Sequence, residues 1–420
     1  MRRGQAELAV VLPDGNEITA GLLESVASAQ GSRMFTRFSY DRAYLEAPGA
    51  YNLSPDLTLS QGVQEPPVRR EMFLAFEDAG PDRWGRELLQ EFANLNARAN
   101  GTPIRRSTAF ETLLAVSDNT RQGAIRLYID GRPVGADARV RQASQLDWQD
   151  LLRLVDLAQE GRAPEGAIAN LVQMGSASPG GSRPKVDVRT GSGSLNLAKL
   201  PQAADRWDVG LWEEVALQLA DKSGIRVPRH RLHRIDPKRS ILLIERFDRQ
   251  GDQRVGYISA RSLLQIEDHA PDRGDYVRLS RELLRHGGRE DQAELFRRVA
   301  FSVLVTNTDD HMRNHGLLRH RRGWSLSPVF DVNPDRLVSA PSTPLSKADG
   351  FGGRELRRLF ELRDDFSLTE MEAKQILIEV EVGTRAWAEI ARGLGESAES
   401  VEAFARAFEG PSREWVRSLA

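Results

Sequence analysis

Thr306-Asn307-Thr308-Asp309-Asp310-His311-Met312-Arg313-Asn314-His315-Gly316-Leu317-Leu318, followed after a short basic connection by Trp324-Ser325-Leu326-Ser327-Pro328-Val329-Phe330-Asp331-Val332-Asn333-Pro334, is the stretch around which the chain is organised. Asp309 and Asn314 share a polar loop after a helical run, and Asp331 ends the next hydrophobic segment. Gly316 to Arg319 and Trp324 to Ser327 read as short strands joined by His320-Arg321-Arg322-Gly323, a connection of hairpin length. Closing that hairpin sets Asn314 beside Asp331. An amide oxygen and a carboxylate suit magnesium, which binds few protein groups and takes the rest of its octahedron from phosphates and water. Asp309 is then left to accept a proton from an attacking hydroxyl. The layout is that of a phosphoryl-transfer site.

Two other readings compete for the same residues. An Asp-Asp-His cluster can be a helix N-cap or a solvated turn. Asp309, Asp310, His311 and Asp331 could also build a hydrolytic site for zinc or manganese. The rest of the chain discriminates, because a kinase also needs a lysine for the phosphates, a buried acid to hold it, and an adenine hinge.

Each of these has a candidate, and they come in the kinase order. Gly175-Ser176-Ala177-Ser178-Pro179-Gly180-Gly181-Ser182-Arg183-Pro184-Lys185 is small and Gly-rich until it meets a strand at Val186 to Arg189. Such a loop lets backbone amides approach phosphates, with Lys185 adding positive charge. In Leu195 to Pro201, alternation puts Leu195, Leu197 and Lys199 on one face, so Lys199 either snorkels or has a buried partner. The helix predicted from Asp208 to Ser223 places Glu213 inside its apolar stripe and Glu214 beside it. A carboxylate on a buried stripe needs a cation, and Lys199 with Glu213 reads as the pair that steadies nucleotide phosphates. Ser240 to Arg249 is an apolar strand opening into a polar connection, as an inter-lobe hinge requires. A metal hydrolase would need neither this lysine, nor this glutamate, nor the hinge.

The remaining segments supply scaffold. Ala6 to Leu12, a run from Glu17, and Met34 to Tyr40 read as strands of a small sheet. Helices are expected from about Asp82 to Ala99, at Phe110 to Val116, at Trp148 to Ala158, through Leu295 to Leu304, at Glu355 to Phe360 and at Glu370 to Thr384, with a strand at Gln122 to Tyr128. Pro341 to Gly353 is rich in turn formers, and no residue in it supports a substrate-contacting role. With 420 residues the chain has room for two or three cores. A formal net charge of −2 gives no global basic field for stand-alone DNA binding. There are no cysteines, hence no disulfides or thiolate metal sites, and no apolar run approaches a membrane span. A cytoplasmic location is the expectation.

Thr308-Asp309-Asp310-His311-Met312-Arg313-Asn314, with Phe330-Asp331 beyond the hairpin and Ile244-Glu245-Arg246-Phe247-Asp248-Arg249 at the hinge, resembles the HipA family. These are serine/threonine kinase toxins of bacterial toxin–antitoxin pairs, whose members carry Thr-Asp-x-His-x-x-Asn followed by a Tyr/Phe-Asp segment. The absence of His-Arg-Asp, and Phe-Asp-Val in place of Asp-Phe-Gly, set the chain apart from ordinary eukaryotic kinases. The resemblance implies an α+β, bilobal protein-kinase-like fold with an additional N-terminal α/β subdomain and a mainly helical C-terminal lobe. The expected divisions are 1–145 for the N-terminal subdomain, 146–250 for the kinase N-lobe and 251–420 for the helical C-lobe. The family further implies ATP and Mg2+ as cofactors, with adenine contacts from the backbone of Glu245 and Phe247. It also implies self-limiting autophosphorylation of a loop serine, matched by Ser178 with Ser176 as a nearby second candidate. The implied partners are a helix-turn-helix antitoxin of the HipB type, operator DNA reached through it, and a protein substrate such as an aminoacyl-tRNA synthetase. The alternatives left beside this reading are a metal-dependent phosphohydrolase and a catalytically silent kinase-fold binding protein.

Overall fold

Period-two alternation makes a strand of Gln5–Val11, and it buries Ala6, Leu8 and Val10 completely on one face. It is central to a six-stranded sheet in the order Val63–Gln64, Met34–Tyr40, Glu17–Ala27, Gln5–Val11, Ile125–Ile129, Arg132–Pro133. Its neighbours Glu17–Ala27 and Ile125–Ile129 both run antiparallel to it. The turn to Arg132–Pro133 has Asp130 and Gly131 at φ 49° and 73°, the paired left-handed conformation of a tight hairpin. The described residues of the computed structural model are 4–29, 31, 33–135, 139–175, 183–267, 272–350 and 353–419.

The chain forms two units, one from Met1–Ala204 with Leu243–Ile258, the other from Asp205–Leu242 with Ser259–Ala420. In the first unit, the covered face of the sheet carries an aromatic cluster in which Phe38 meets Tyr40 and Phe76 edge-on and Tyr40 stacks on Tyr44. The helix Arg83–Ala99 starts where predicted, with the Asp82 side chain accepting from Gly85 N at 2.7 Å. Further along, Arg141–Gln142 pairs in parallel with Lys185–Arg189, which in turn pairs antiparallel with Leu195–Lys199. Leu195–Lys199 departs from the single-face expectation: Leu195, Asn196 and Ala198 are buried while Leu197 and Lys199 are half-buried. Both faces of this strand are therefore covered, and alternation alone does not show that.

In the second unit, the helix Val209–Lys222 is capped by Asp208, which accepts from Leu211 N at 3.1 Å and from Ser240 Oγ at 2.5 Å. Trp212 is buried and stacks on Phe404 of the helix Ala398–Phe408 with centroids 3.6 Å apart. Trp387 stacks on Phe408 at 4.6 Å. The helix Arg289–Leu304 is the centre of this unit, with Leu295, Phe296, Val299 and Ala300 fully buried. Tyr276–His286, a strongly amphipathic helix, packs beside it. Gly316–His320 and Gly323–Leu326 form the expected hairpin, tightened by one residue at each end because His320 pairs with Gly323. Gly323 at φ 151° makes that closure; a Cβ there would lie 2.4 Å from the His286 carbonyl oxygen. No described helix is long and apolar enough to cross a membrane.

The Trp212–Phe404 stack, with Trp212 buried, is a core contact of the second unit. Trp212→Ala should lower its unfolding free energy by about 3–5 kcal/mol, the usual range for emptying an aromatic core site, as measured by denaturant titration.

Candidate active site

The loop after Arg289–Leu304 begins with a reversal. Thr306 takes φ 53°, and its hydroxyl donates to the Ala407 carbonyl at 2.6 Å. Asn307 N donates back to the Ser302 carbonyl at 2.8 Å, so the chain leaves the helix sharply. Asp309 is exposed. Its carbonyl accepts from His311 N and from Asn314 Nδ2, each at 3.0 Å, and Asn314 N donates to the His311 carbonyl at 2.8 Å. Asp309 and Asn314 are thus locked into one short turn ending in Met312–Asn314. Because the amide nitrogen of the buried Asn314 is the donor in this contact, its Oδ1 is the atom left to serve as a hard oxygen ligand.

Asp310, expected as part of a solvated turn or N-cap or as a hydrolytic metal ligand, is instead the buried anchor of the loop. It is buried, and it accepts from the Tyr276 hydroxyl at 2.6 Å and from Ser302 Oγ at 3.0 Å. His315 Nε2 lies 3.1 Å away, and Arg354 Nη1 3.6 Å away. Burial works against ionisation, but His315, Arg354 and the Tyr276 hydrogen bond outweigh it and hold the carboxyl below the usual carboxylate range. Burial pushes the Tyr276 phenol well above its ordinary value, so it remains a donor. Arg354 Nη1 donates to the Tyr276 hydroxyl at 2.7 Å, and Nη2 donates to the Asn307 carbonyl. The signal for Asp310 was in the sequence only as a second acid next to Asp309. Among the described residues, no three His, Asp or Glu side chains are gathered as a metal cluster. The hydrolytic site of Asp309, Asp310, His311 and Asp331 is therefore not assembled.

Beyond the hairpin, Asp331 takes φ 60° and its backbone N–H donates to Glu213 Oε1 at 3.1 Å. Glu213 is buried as expected, so the helix Val209–Lys222 holds the backbone of Asp331 directly. Glu214 was expected beside the stripe and is instead buried as well, 2.8 Å from His230 Nδ1, because His230 supplies the partner that makes burial tolerable. Asn333 N donates to Asn307 Oδ1 at 3.2 Å. The next turn is clasped to the loop: Asp335 N donates to the Thr306 carbonyl at 2.9 Å, and Thr308 Oγ1 donates to Asp335 Oδ2 at 3.1 Å. Farther on, Ser342 N donates to the Thr308 carbonyl at 2.8 Å and Ser342 Oγ to Asp309 Oδ1 at 3.2 Å.

The first unit carries the other expected residues. Lys199 ends its strand directly opposite Lys185, on the same face. Lys185, expected to lend its charge to phosphates, is buried, and its ammonium is ion-paired with Asp82. Two lysines side by side repel, and Asp82 offsets this. Gly175 is the entry to the Gly-rich segment, at φ 77°, and a Cβ there would lie 3.0 Å from Thr120 Cγ2 and 3.1 Å from Asp187 Oδ2. Ser176 and Ser178 lie outside the described residues. Glu245 and Phe247 are half-buried, whereas the residues alternating with them are buried. Arg246 donates to Asp187 at 3.0 Å, to Asp248 at 2.8 Å and to the Thr120 carbonyl at 2.7 Å, and Asp248 accepts from Gly123 N at 2.8 Å. Nothing in the local sequence marks Arg246 and Asp248 for this network.

The family described as HipA-like C-terminal domain matches residues 177–388, half of the chain. The chain belongs to that family. Its HipA-like match takes in the strand pair at Lys185 and Lys199, the run from Ser240 to Arg249 and the whole of the Asp309 loop. A protein of Sinorhizobium fredii provisionally named the kinase Y4dM is 35% identical over 96 residues, 22% of this chain and 23% of that relative. The fold is similar to a chain in the structure of the Shewanella oneidensis MR-1 toxin–antitoxin system HipA, HipB and its operator DNA. That similarity has a TM-score of 0.63 at 14% identity and covers 99% of this chain and 96% of that one. The α+β architecture is that of this HipA-like fold.

The ionised Asp310 stabilises the fold fully above the unfolded carboxylate value of about 4, and this contribution is lost as pH falls through its lower folded value. Asp310→Asn should cost about 3–5 kcal/mol near neutrality, because His315 and Arg354 lose their buried anion. The gap between parent and variant should narrow below about pH 4, as read from urea midpoints measured across pH.

Proposed function

We propose that the chain is an ATP- and magnesium-dependent serine/threonine protein kinase of the toxin type. The observation that carries this reading is the loop geometry of the second unit. An exposed Asp309 side chain stands on a turn locked by Asn314, and the backbone of Asp331 is held by a buried glutamate. The family membership supports it.

In this reading the acceptor oxygen attacks the γ-phosphorus of ATP, the bond from that phosphorus to the bridging oxygen breaks, and ADP leaves. Asp309 takes the hydroxyl proton. Asn314 and Asp331 would hold Mg2+; their amide and carboxylate oxygens are the hard donors it prefers. When bound, the ion neutralises charge developing on the phosphates. Lys199 is assigned to the phosphates, with Glu213 as its carboxylate partner. The backbone of Glu245 and Phe247 is assigned to the adenine edge, braced from behind by the buried Arg246 and Asp248. Lys185 acts as a strut at the exit of the Gly-rich segment, since its ammonium is paired with Asp82.

The regulatory and cellular parts follow the family. A phosphate on Ser178 or Ser176 would place about two negative charges where those of ATP must lie and so limit activity. The partners proposed are a HipB-type helix-turn-helix antitoxin, operator DNA through that antitoxin, and a translation-related protein such as an aminoacyl-tRNA synthetase as substrate. The location proposed is the cytoplasm.

Incubation with Mg-ATP followed by intact-mass analysis tests the chemistry. The parent should gain phosphate, and Asp309→Asn should lower the rate by about 10²–10⁴-fold, the span for losing a positioned proton acceptor. Asp331→Ala should abolish the dependence on magnesium concentration together with the activity. No phosphate gain with no magnesium-dependent ATP binding would overturn the proposal.

A further inference from the structure

We infer that Ser342 is a phosphoacceptor for the chain's own active site, modified in cis; this rests on the kinase reading above. The starting point is the surroundings of the Asp309 carboxylate. Ser342 Oγ donates to Asp309 Oδ1 at 3.2 Å, and this is the one side-chain hydrogen bond of Asp309 among the described residues. A general base must lie within hydrogen-bond reach of the proton it removes, about 2.6–3.2 Å between heavy atoms. The contact that an incoming hydroxyl has to make is thus already made by a hydroxyl of the same chain.

The placement of Ser342 is built into the backbone. Ser342 N donates to the Thr308 carbonyl, next to Asp309, at 2.8 Å. On the N-terminal side, Asp335 gathers its own turn by accepting from Leu337 N at 2.9 Å and from Ser339 N at 2.8 Å, while taking the Thr308 hydroxyl. On the C-terminal side, Tyr276 N and Val277 N donate to the Pro344 and Leu345 carbonyls at 3.3 and 3.1 Å. The segment also carries Val338 at φ 54°, a conformation that β-branched residues take only when their surroundings hold them there. Other nearby hydroxyls are placed differently. Thr308 is committed to Asp335, and Thr343 is fully buried. Ser342 is the one that is both half-exposed and bonded to the carboxylate.

The step balances without a further reactant. A bond forms from Ser342 Oγ to the γ-phosphorus, the bond to the bridging oxygen of ATP breaks, ADP departs, and the serine proton goes to Asp309. The product puts a phosphoserine dianion next to the Asp309 carboxylate. Repulsion between them would drive the segment out of the loop or leave the acceptor position blocked, and either would stop further turnover. Chemically this differs from charge placed in the Gly-rich segment: it acts on the acceptor side of the reaction, and ATP can still bind.

The test uses the full chain with Mg-ATP and phosphopeptide mapping. Cleavage after Arg336 and Lys347 releases Leu337–Lys347, in which fragmentation separates Ser342 from Ser339, Thr343 and Ser346. Phosphate should appear on Ser342, be absent in Ser342→Ala and Asp309→Asn, and return on the threonine in Ser342→Thr. A reaction in cis should show a fractional rate that is constant through roughly a 100-fold dilution, since the acceptor is held rather than encountered. A rate that falls with dilution overturns modification in cis. Phosphate confined to Ser176, Ser178 or added dephosphorylated casein overturns this inference and leaves the kinase reading standing. No transfer at any site overturns it as well, and loss of Mg-ATP binding in the same sample then takes the kinase reading with it.

Discussion

The second unit depends on one buried carboxylate. Asp310 accepts from Tyr276 and Ser302 and has His315 and Arg354 within 3.6 Å, groups carried by the helices Tyr276–His286 and Arg289–Leu304, the loop itself and the segment before Leu356–Glu361. An ion of this kind survives burial only when its lone pairs are all spoken for. That requirement fixes the loop more tightly than apolar packing would, because hydrogen bonds are directional. The exposed neighbour Asp309 inherits the position. Two adjacent acids of identical chemistry therefore do opposite jobs, one holding and one facing solvent, and the difference lies entirely in what surrounds them.

The first unit applies the same rule to its charged residues. Arg246 is buried between Asp187 and Asp248. Burial opposes its charge, and the two carboxylates restore it, leaving the guanidinium more basic than usual. Arg249, also against Asp248, is brought down to about 10 by burial. Since Asp187 also sits against Gly175, and Asp248 against Gly123, this network joins the entry of the Gly-rich segment to the end of the strand Arg239–Glu245 and to the loop at Thr120. Lys185 and Asp82 fix the exit of that segment. Both ends of the Gly-rich segment thus lie against ion-paired residues, Asp187 with Arg246 at Gly175 and Asp82 with Lys185 at the exit.

What could be read from the sequence was whatever repeats with a local period or sits at a capped end. Asp82 and Asp208 announce their helices as N-caps, Leu295 to Leu304 shows helical spacing, and the hairpin before Asp331 is bounded by Gly and basic residues. The joint order of Lys199, Glu213, Asp309, Asn314 and Asp331 carried the functional reading. Partners distant in the chain were not legible. Nothing local says that Tyr276 reaches Asp310, that Arg246 lies on Asp187, or that Ile125–Ile129 returns to pair with Gln5–Val11. Lys185 shows the limit most clearly: its place after a Gly-rich run suggests a phosphate contact, and only the fold supplies Asp82.

Backbone strain in the second unit follows the same geography. Thr306, Asp331 and Val338 all take positive φ, and two of the three are β-branched, for which this conformation is most costly. Each such residue costs on the order of 1–3 kcal/mol and persists only where surrounding contacts over-determine it. Those contacts are on hand: the Thr306 hydroxyl grips Ala407, Glu213 takes the Asp331 N–H, and Asp335 clasps the turn containing Val338. Relaxing any of the three reversals would let its segment extend and carry the Asp309 loop, Asp331 or Ser342 with it. A backbone carbonyl, a buried glutamate and a half-buried aspartate thus each hold one unfavourable turn, and the last of these turns leads into the segment whose Ser342 reaches the exposed Asp309 carboxylate.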